Sequence, residues 1–359
     1  MVARVIQNRP MTAKPTDTVL IFRLGSIGDT VVALPCFHGI ARRFPDHRRV
    51  LLTNALTNVR ASSAESVLDG TGLVDEVIYY PVGDFSVRQV LTLRREIRRL
   101  RPSLLIYLAE RLAAGPVLRD LAFFKGSGIP RIVGAPWRES LRRCAIDPAT
   151  GQLEHEAERL ARNLEPFVPV SLAAPNWDMH LSESELARAQ AALAPIGASS
   201  SVIAIAPGAK VAAKDWGGDR WGELLRRLAP EYGAVPLVMI GAPDERALCA
   251  ELATRWRAPV LNLCGFSTPR EAAAVLRRCR LVVCHDSGPM HLAASQQTPC
   301  VALFGNYNLP RKWYPYGDGH VVIHEPRGMR EIPVERVVDA IRAVLGHTLA
   351  SVALDTAAV

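Results

Sequence analysis

The chain has 359 residues, 49% of them hydrophobic and 22% charged, with a formal net charge of +8. That length exceeds what one hydrophobic core usually fills, so two domains of roughly 150 to 180 residues are expected of an ordinary globular composition. The longest apolar runs stop well short of the ~20 residues of a membrane-crossing helix, and the N-terminus carries no signal-peptide core, so neither spanning nor secretion is expected.

Taken in chain order, short apolar runs alternate with segments of helical period. The first half carries TVLIFRL (18–24), RVLLT (49–53), EVIYY (76–80), SLLIYLA (103–109) and RIVG (131–134). The second half carries SVIAIAP (201–207), PLVMIG (236–241), PVLNL (259–263), RLVVC (280–284) and PCVALFG (299–305). Near-continuous apolar strands joined by amphipathic helices predict parallel sheets covered on both faces, an α/β fold. The proline-rich, aperiodic segment PFVPVSLAAPNW (166–177) reads as the break. The expected domains are 17–168 and 177–346, closed by a helix over 334–345, with residues 1–16 and 347–359 as flexible tails.

The seven cysteines form no C-x-x-C pair and the nine histidines no metal-ligand spacing. Reduced thiols, a cytoplasmic location, no metal and no cofactor are therefore expected. Charge is uneven: residues 1–170 hold 24 Lys and Arg against 17 Asp and Glu, whereas the remainder holds 19 against 18. The densest run, LTLRREIRRLRPS, puts Arg94 with Arg98 and Arg95 with Arg99 on one side of a helix. It is either a solvated face or a contact for an anionic surface, phospholipid or a phosphorylated acceptor. Nucleic acid is disfavoured, because no aromatic residues interleave the basic run.

In open α/β sheets ligands sit beyond the carboxyl ends of the strands, so polar groups just after each run matter most. After the first comes Gly25-Ser26-Ile27-Gly28-Asp29, which fits neither a dinucleotide fingerprint nor a P-loop. Asp29 is either a helix N-cap or a carboxylate open to a cleft, able to accept a proton from a hydroxyl. After SVIAIAPGA come Lys210 and Lys214, surface lysines or groups that neutralise a phosphate. After RLVVC comes His285-Asp286-Ser287-Gly288-Pro289-Met290-His291, a turn into a helix with Pro289 expected in its first position. A helix start with Ser287 and Gly288, and with His291 in its first turn, suits a diphosphate. The bland reading there is a capped helix with a packed histidine.

With these sites in hand the sequence resembles glycosyltransferase family 9, which contains the ADP-heptose:lipopolysaccharide heptosyltransferases. The likeness rests on VLIFRLGSIGDTVVALP, IAPGAKVAAKDW, IGAPDE and CHDSGPMHLAASQQTPCVALFG, in that order over about residues 18–320. It implies a GT-B architecture, two Rossmann-like parallel-sheet domains facing across a cleft. The acceptor would lie on the N-terminal side, with Gly25, Ser26 and Gly28 in its loop, and a nucleotide sugar on the C-terminal side. Asp29 matches the family's catalytic base. Lys214 matches the lysine on the donor phosphates, Asp286, Ser287, Gly288 and His291 match the donor element, and Glu245 in GAPDE is the expected nucleoside contact. An inverting transfer needing no metal is implied, with the donor ADP-linked and the acceptor lipid-linked or phosphorylated. Charge and resemblance together suggest a cytoplasmic enzyme peripheral on the inner membrane. Two stretches depart from the family's pattern: Gly305-Asn306-Tyr307-Asn308-Leu309-Pro310, and Ala209-Lys210 ahead of Lys214. Competing readings are a transferase of the same family that uses another nucleotide sugar, a nucleotide-sugar epimerase or hydrolase, and a non-catalytic nucleotide-sugar-binding protein.

Overall fold

The computed structural model describes residues 4–5, 17–54, 63–80, 86–197, 202–266 and 268–356, with only the backbone path described for 4–5 and 347–356. The chain divides into two compact units, one ending at Leu181 and the other starting at Ser182. Every apolar run named above contains a strand. In the first unit these are β1 (Arg4–Val5), β2 (Thr18–Phe22), β3 (Arg48–Asn54), β4 (Glu76–Tyr80), β5 (Leu104–Tyr107) and β6 (Arg131–Val133), in the order β1-β4-β3-β2-β5-β6. In the second they are β7 (Ile203–Ala206), β8 (Leu237–Met239), β9 (Val260–Asn262), β10 (Leu281–His285), β11 (Cys300–Phe304) and β12 (Val321–His324), in the order β12-β11-β10-β7-β8-β9.

Pairing is parallel in both sheets except at β1, which runs antiparallel to β4 with Arg4 opposite Val77. β1 and β12 correspond to no run singled out in the sequence. Apart from β1, the tail expected over 1–16 lies outside the described residues. The last helix, expected to end at 345, runs from Val334 to Thr356.

Central strands such as β2, β5, β10 and β11 are buried at every residue, as coverage on both faces requires. Phe22, Leu52, Ile78, Tyr107 and Phe124 centre the first core. Trp216, Trp221, Met239, Val283 and Leu303 centre the second. The helix Val87–Leu100 shows how sequence sets these boundaries. The Gln89 N–H donates to Ser86 Oγ at 3.2 Å at its start, Leu93, Ile97 and Leu100 bury one stripe, and Arg101 stops it with φ 47°.

The segment expected to be the linker is built into the first unit. Arg42 Nη1 donates to Asn176 Oδ1 at 2.6 Å, His38 Nε2 meets the Asp178 carbonyl at 2.8 Å, and His180 Nδ1 meets the Thr71 carbonyl at 2.7 Å. Gly39 is required here, since a Cβ at that position would stand 2.8 Å from the Pro169 carbonyl.

In each sheet the chain winds outward one way from a central strand and then returns to wind the other way. The reversal falls between β2 and β5 in the first sheet and between β7 and β10 in the second. Crevices at the carboxyl ends of such strands are where this architecture receives ligands.

Candidate functional site

In the first unit, β2 ends at Phe22 and hands over to the helix Ile27–Val32 through Arg23-Leu-Gly-Ser. Gly25 adopts φ +136°, and its N–H donates to Asn54 Oδ1 at 2.7 Å. A Cβ there would collide with the Cβ and carboxyl carbon of Asp29, so the glycine makes room for that side chain. The helix starts earlier than an N-cap at Asp29 would require: Ser26 is the N-cap and Asp29 the third helical residue. From there the Asp29 carboxylate turns back to accept from Ser26 N–H at 2.8 Å and Ser26 Oγ–H at 3.2 Å.

Beneath it lies Arg23, fully buried, a residue that the sequence reading treated as part of a strand. Its Nη1 donates to the Leu108 carbonyl at 2.7 Å, its Nη2 to the Asp29 carbonyl, and the Asp29 carboxylate lies 3.8 Å from Nη2. A guanidinium without water needs such partners. The only hint in the sequence is a charge inside an apolar run.

In the second unit, Pro207-Gly208 follows β7 and Lys214 closes the 3-10 turn Ala212–Lys214. Lys214 Nζ pairs with Asp286 Oδ2 at 2.8 Å and stands 4.8 Å from the centre of the Tyr307 ring. The Asn308 amide also donates to Asp286 Oδ2. Tyr307 and Asn308 belong to the departing loop after β11, so that departure supplies neighbours to the lysine and the carboxylate. Ser287 is the N-cap of Gly288–Ser295, and its Oγ donates to the His285 carbonyl at 3.2 Å. Gly288 rather than Pro289 takes the first helical position. His291 is buried with its ring edge-on to Trp313, centroids 6.4 Å apart. Glu245 accepts from Ala242 N–H at 2.7 Å, and its carboxyl group fills the space over Gly208 that a Cβ would need. Lys210 lies exposed on the loop after β7.

His285, the last residue of β10, locks these loops together. Its Nε2 accepts from the Trp216 N–H and from Trp221 Nε1–H, both at 3.2 Å. With Nε2 an acceptor, Nδ1 must carry the proton and donate to the Gly208 carbonyl, 3.2 Å away. Burial lowers the His285 pKa from 6.5 to about 4, so the ring is neutral.

All seven cysteines are free thiols. Among the described residues no group of His, Cys, Asp and Glu is arranged to hold a metal ion, and no helix is long and apolar enough to cross a membrane. On the basic helix, Arg94 and Arg98 donate to the Gly126 carbonyl at 2.7 and 3.3 Å, and Arg95, Arg98 and Arg99 are all exposed.

Two doubly wound parallel sheets with polar clusters at their carboxyl edges define the GT-B class of fold. A model of glycosyltransferase family 9 (heptosyltransferase) matches residues 128–335, more than half of the sequence, and the chain belongs to that family. The lipopolysaccharide core heptosyltransferase OpsX of Haemophilus influenzae is 25% identical over 169 residues, 46% of this chain and 47% of OpsX. Lipopolysaccharide heptosyltransferase 3 of Escherichia coli is 24% identical over 287 residues, 77% of this chain and 79% of the relative. The match thus spans about half of the first and about four-fifths of the second. Among solved structures, E. coli heptosyltransferase WaaC with ADP has TM-score 0.64 and 19% identity, covering 91% of this chain and 99% of WaaC. That likeness concerns the fold.

Proposed function

We propose that the protein is an inverting, metal-independent glycosyltransferase that moves heptose from ADP-heptose onto a hydroxyl of a lipopolysaccharide or related cell-surface saccharide. The observation that carries this is the placement of an outward carboxylate after β2 and an outward ammonium after β7, each at its sheet's reversal point, in a chain of family 9. The names of OpsX and heptosyltransferase 3 support lipopolysaccharide as the acceptor class, and the ADP bound in WaaC supports the nucleotide.

The mechanism is a single displacement. Asp29 takes the proton of the acceptor hydroxyl as its oxygen bonds to the anomeric carbon, on the face opposite the nucleotide. The bond from that carbon to the diphosphate oxygen breaks, and its electron pair leaves with the diphosphate. Lys214 meets the charge that builds there, helped by the N–H groups at the start of Gly288–Ser295, with Ser287 at the rim. Lys210 adds long-range attraction, and Glu245 takes a hydroxyl of the nucleoside. Arg95 and Arg99 hold the protein against an anionic membrane that presents a lipid-linked acceptor, an attraction that high salt would release from vesicles.

A nucleotide panel read by thermal shift, followed by NMR of the product anomer, tests the reading. ADP at a hundred times its Kd should add ~2.7 kcal/mol of stability. Transfer with inverted configuration, unaffected by EDTA, is the expected outcome. Preference for UDP, GDP or dTDP would overturn the donor, retained configuration would overturn the single displacement, and turnover of donor alone without an acceptor would favour the epimerase or hydrolase reading.

A further inference from the structure

β2, β4 and β5 end at Phe22, Tyr80 and Tyr107, and these rings gather at the carboxyl edge of the first sheet. Phe22 lies 5.4 Å from Tyr80 and 5.1 Å from Tyr107, centroid to centroid. Above them sits an ion cluster that the proposed mechanism does not use. The buried Asp120 carboxylate accepts from Tyr107 Oη and Arg111 Nε at 2.8 Å on one oxygen, and from Arg119 Nη2 at 3.1 Å on the other. The Arg111 guanidinium also stands 5.9 Å over the Phe22 ring.

Two guanidinium groups on one carboxylate leave one positive charge in surplus. Burial works against the Arg111 charge, yet its hydrogen bond and attraction to Asp120 hold its pKa above the ordinary value. Arg111 Nη2 is buried with no hydrogen-bond partner, while the Arg119 side chain is 56% exposed. Buried donors without acceptors cost free energy, and an arginine fork matches the oxygen pairs of phosphate and carboxylate. The cluster is also tied to the Asp29 turn, because Arg23 bridges that turn to Leu108, the residue after Tyr107.

We infer that Arg111 and Arg119 form an oxyanion subsite that receives a phosphate or carboxylate substituent of the saccharide acceptor, an inference that rests on the acceptor-side reading of Asp29 above.

The test titrates glucose 6-phosphate and glucuronate separately into the full-length protein at low salt, followed by NMR and thermal shift. At least one should bind, and the stronger names the substituent. Arg119→Met should weaken that binding about 10-fold, the loss of roughly one charge-assisted hydrogen bond. Arg111→Met should weaken it at least as much, Arg119→Lys should restore part of it, and ADP binding should be the same in every variant. The subsite is overturned if neither probe binds the wild type, or if Arg119→Met binds as the wild type does. Arg119 is the deciding position because its exposed side chain can be changed without leaving Asp120 unpaired, should Arg111→Met fail to fold. Because these arms need no turnover, a failure of the transferase reading would show itself separately, as absent transfer with binding intact.

Discussion

The two units hold opposite arrangements of charge at equivalent places. In the first the cation is buried and the carboxylate outward: Arg23 is 0% exposed and Asp29 29%. In the second the carboxylate is buried and the cation outward, with Asp286 at 7% and Lys214 at 19%. An ion cut off from water must be paired, so the inner member of each pair fixes the outer one. Which ion is buried therefore decides the sign of the outward group: a carboxylate in one unit, an ammonium in the other.

The largest expected effect comes from removing the first outward charge. Asp29→Asn keeps the size of the side chain but cannot take a proton, and turnover of the folded protein should fall 10²- to 10⁴-fold, with a lowered melting temperature because the buried Arg23 loses its paired charge. A folded Asp29→Asn protein with near-normal turnover would break the assignment of the first unit. Removing the inner ion should instead act on stability. Arg23→Met strands the Leu108 and Asp29 carbonyls without their buried donor. A loss of about 3–5 kcal/mol is expected in urea unfolding, as when one partner of a buried pair is deleted. An unchanged midpoint would mean that Arg23 does not support Asp29.

The second unit rests on a neutral histidine, which makes it sensitive to acid. His285 has its pKa lowered from 6.5 to about 4. Below pH 6.5 the unfolded chain takes a proton that the folded chain refuses until about pH 4. The stabilisation present above pH 6.5 is thus lost across that window, about 3 kcal/mol in all. His38 is also lowered by burial and contributes with the same sign. The measurement is therefore the difference in pH slope between wild type and His285→Gln, and equal slopes would show that His285 does not titrate on unfolding.

These contrasts were only partly legible in the sequence. Central strands announced themselves because burial on both faces demands unbroken apolar runs. β1 and β12 did not: the first is two residues long and the second half-buried, so neighbouring strands decide their pairing. The last helix passes Gly346 because one glycine costs only ~1 kcal/mol against alanine and does not by itself end a helix. Asp29, Lys214 and Asp286 were visible as polar groups following strands. Arg23 stood inside an apolar run and His285 stood at the head of its turn without a role, since a polar residue at the buried end of a strand shows its partners only once distant loops arrive. Tyr307 and Asn308 could be seen as a departure, but their contacts with Lys214 and Asp286 could not.

The smallest effect expected is the one that examines the second pair most directly. Lys214 Nζ spends one of its three donors on Asp286, which leaves donors for a diphosphate. Lys214→Met should raise the Kd for ADP about 10- to 100-fold, the range of a charge-assisted hydrogen bond. Asp286→Asn keeps a hydrogen-bonding group near Asn308 but loses the ion that aims the lysine. If Asp286 acts through Lys214, the carboxylate change should matter little once the lysine is gone. A double-mutant cycle on ADP affinity should then show a coupling of about 0.5–3 kcal/mol. Additive effects would mean that each residue meets the nucleotide independently, and the mirrored arrangement would then have no bearing on how the second unit binds its ligand.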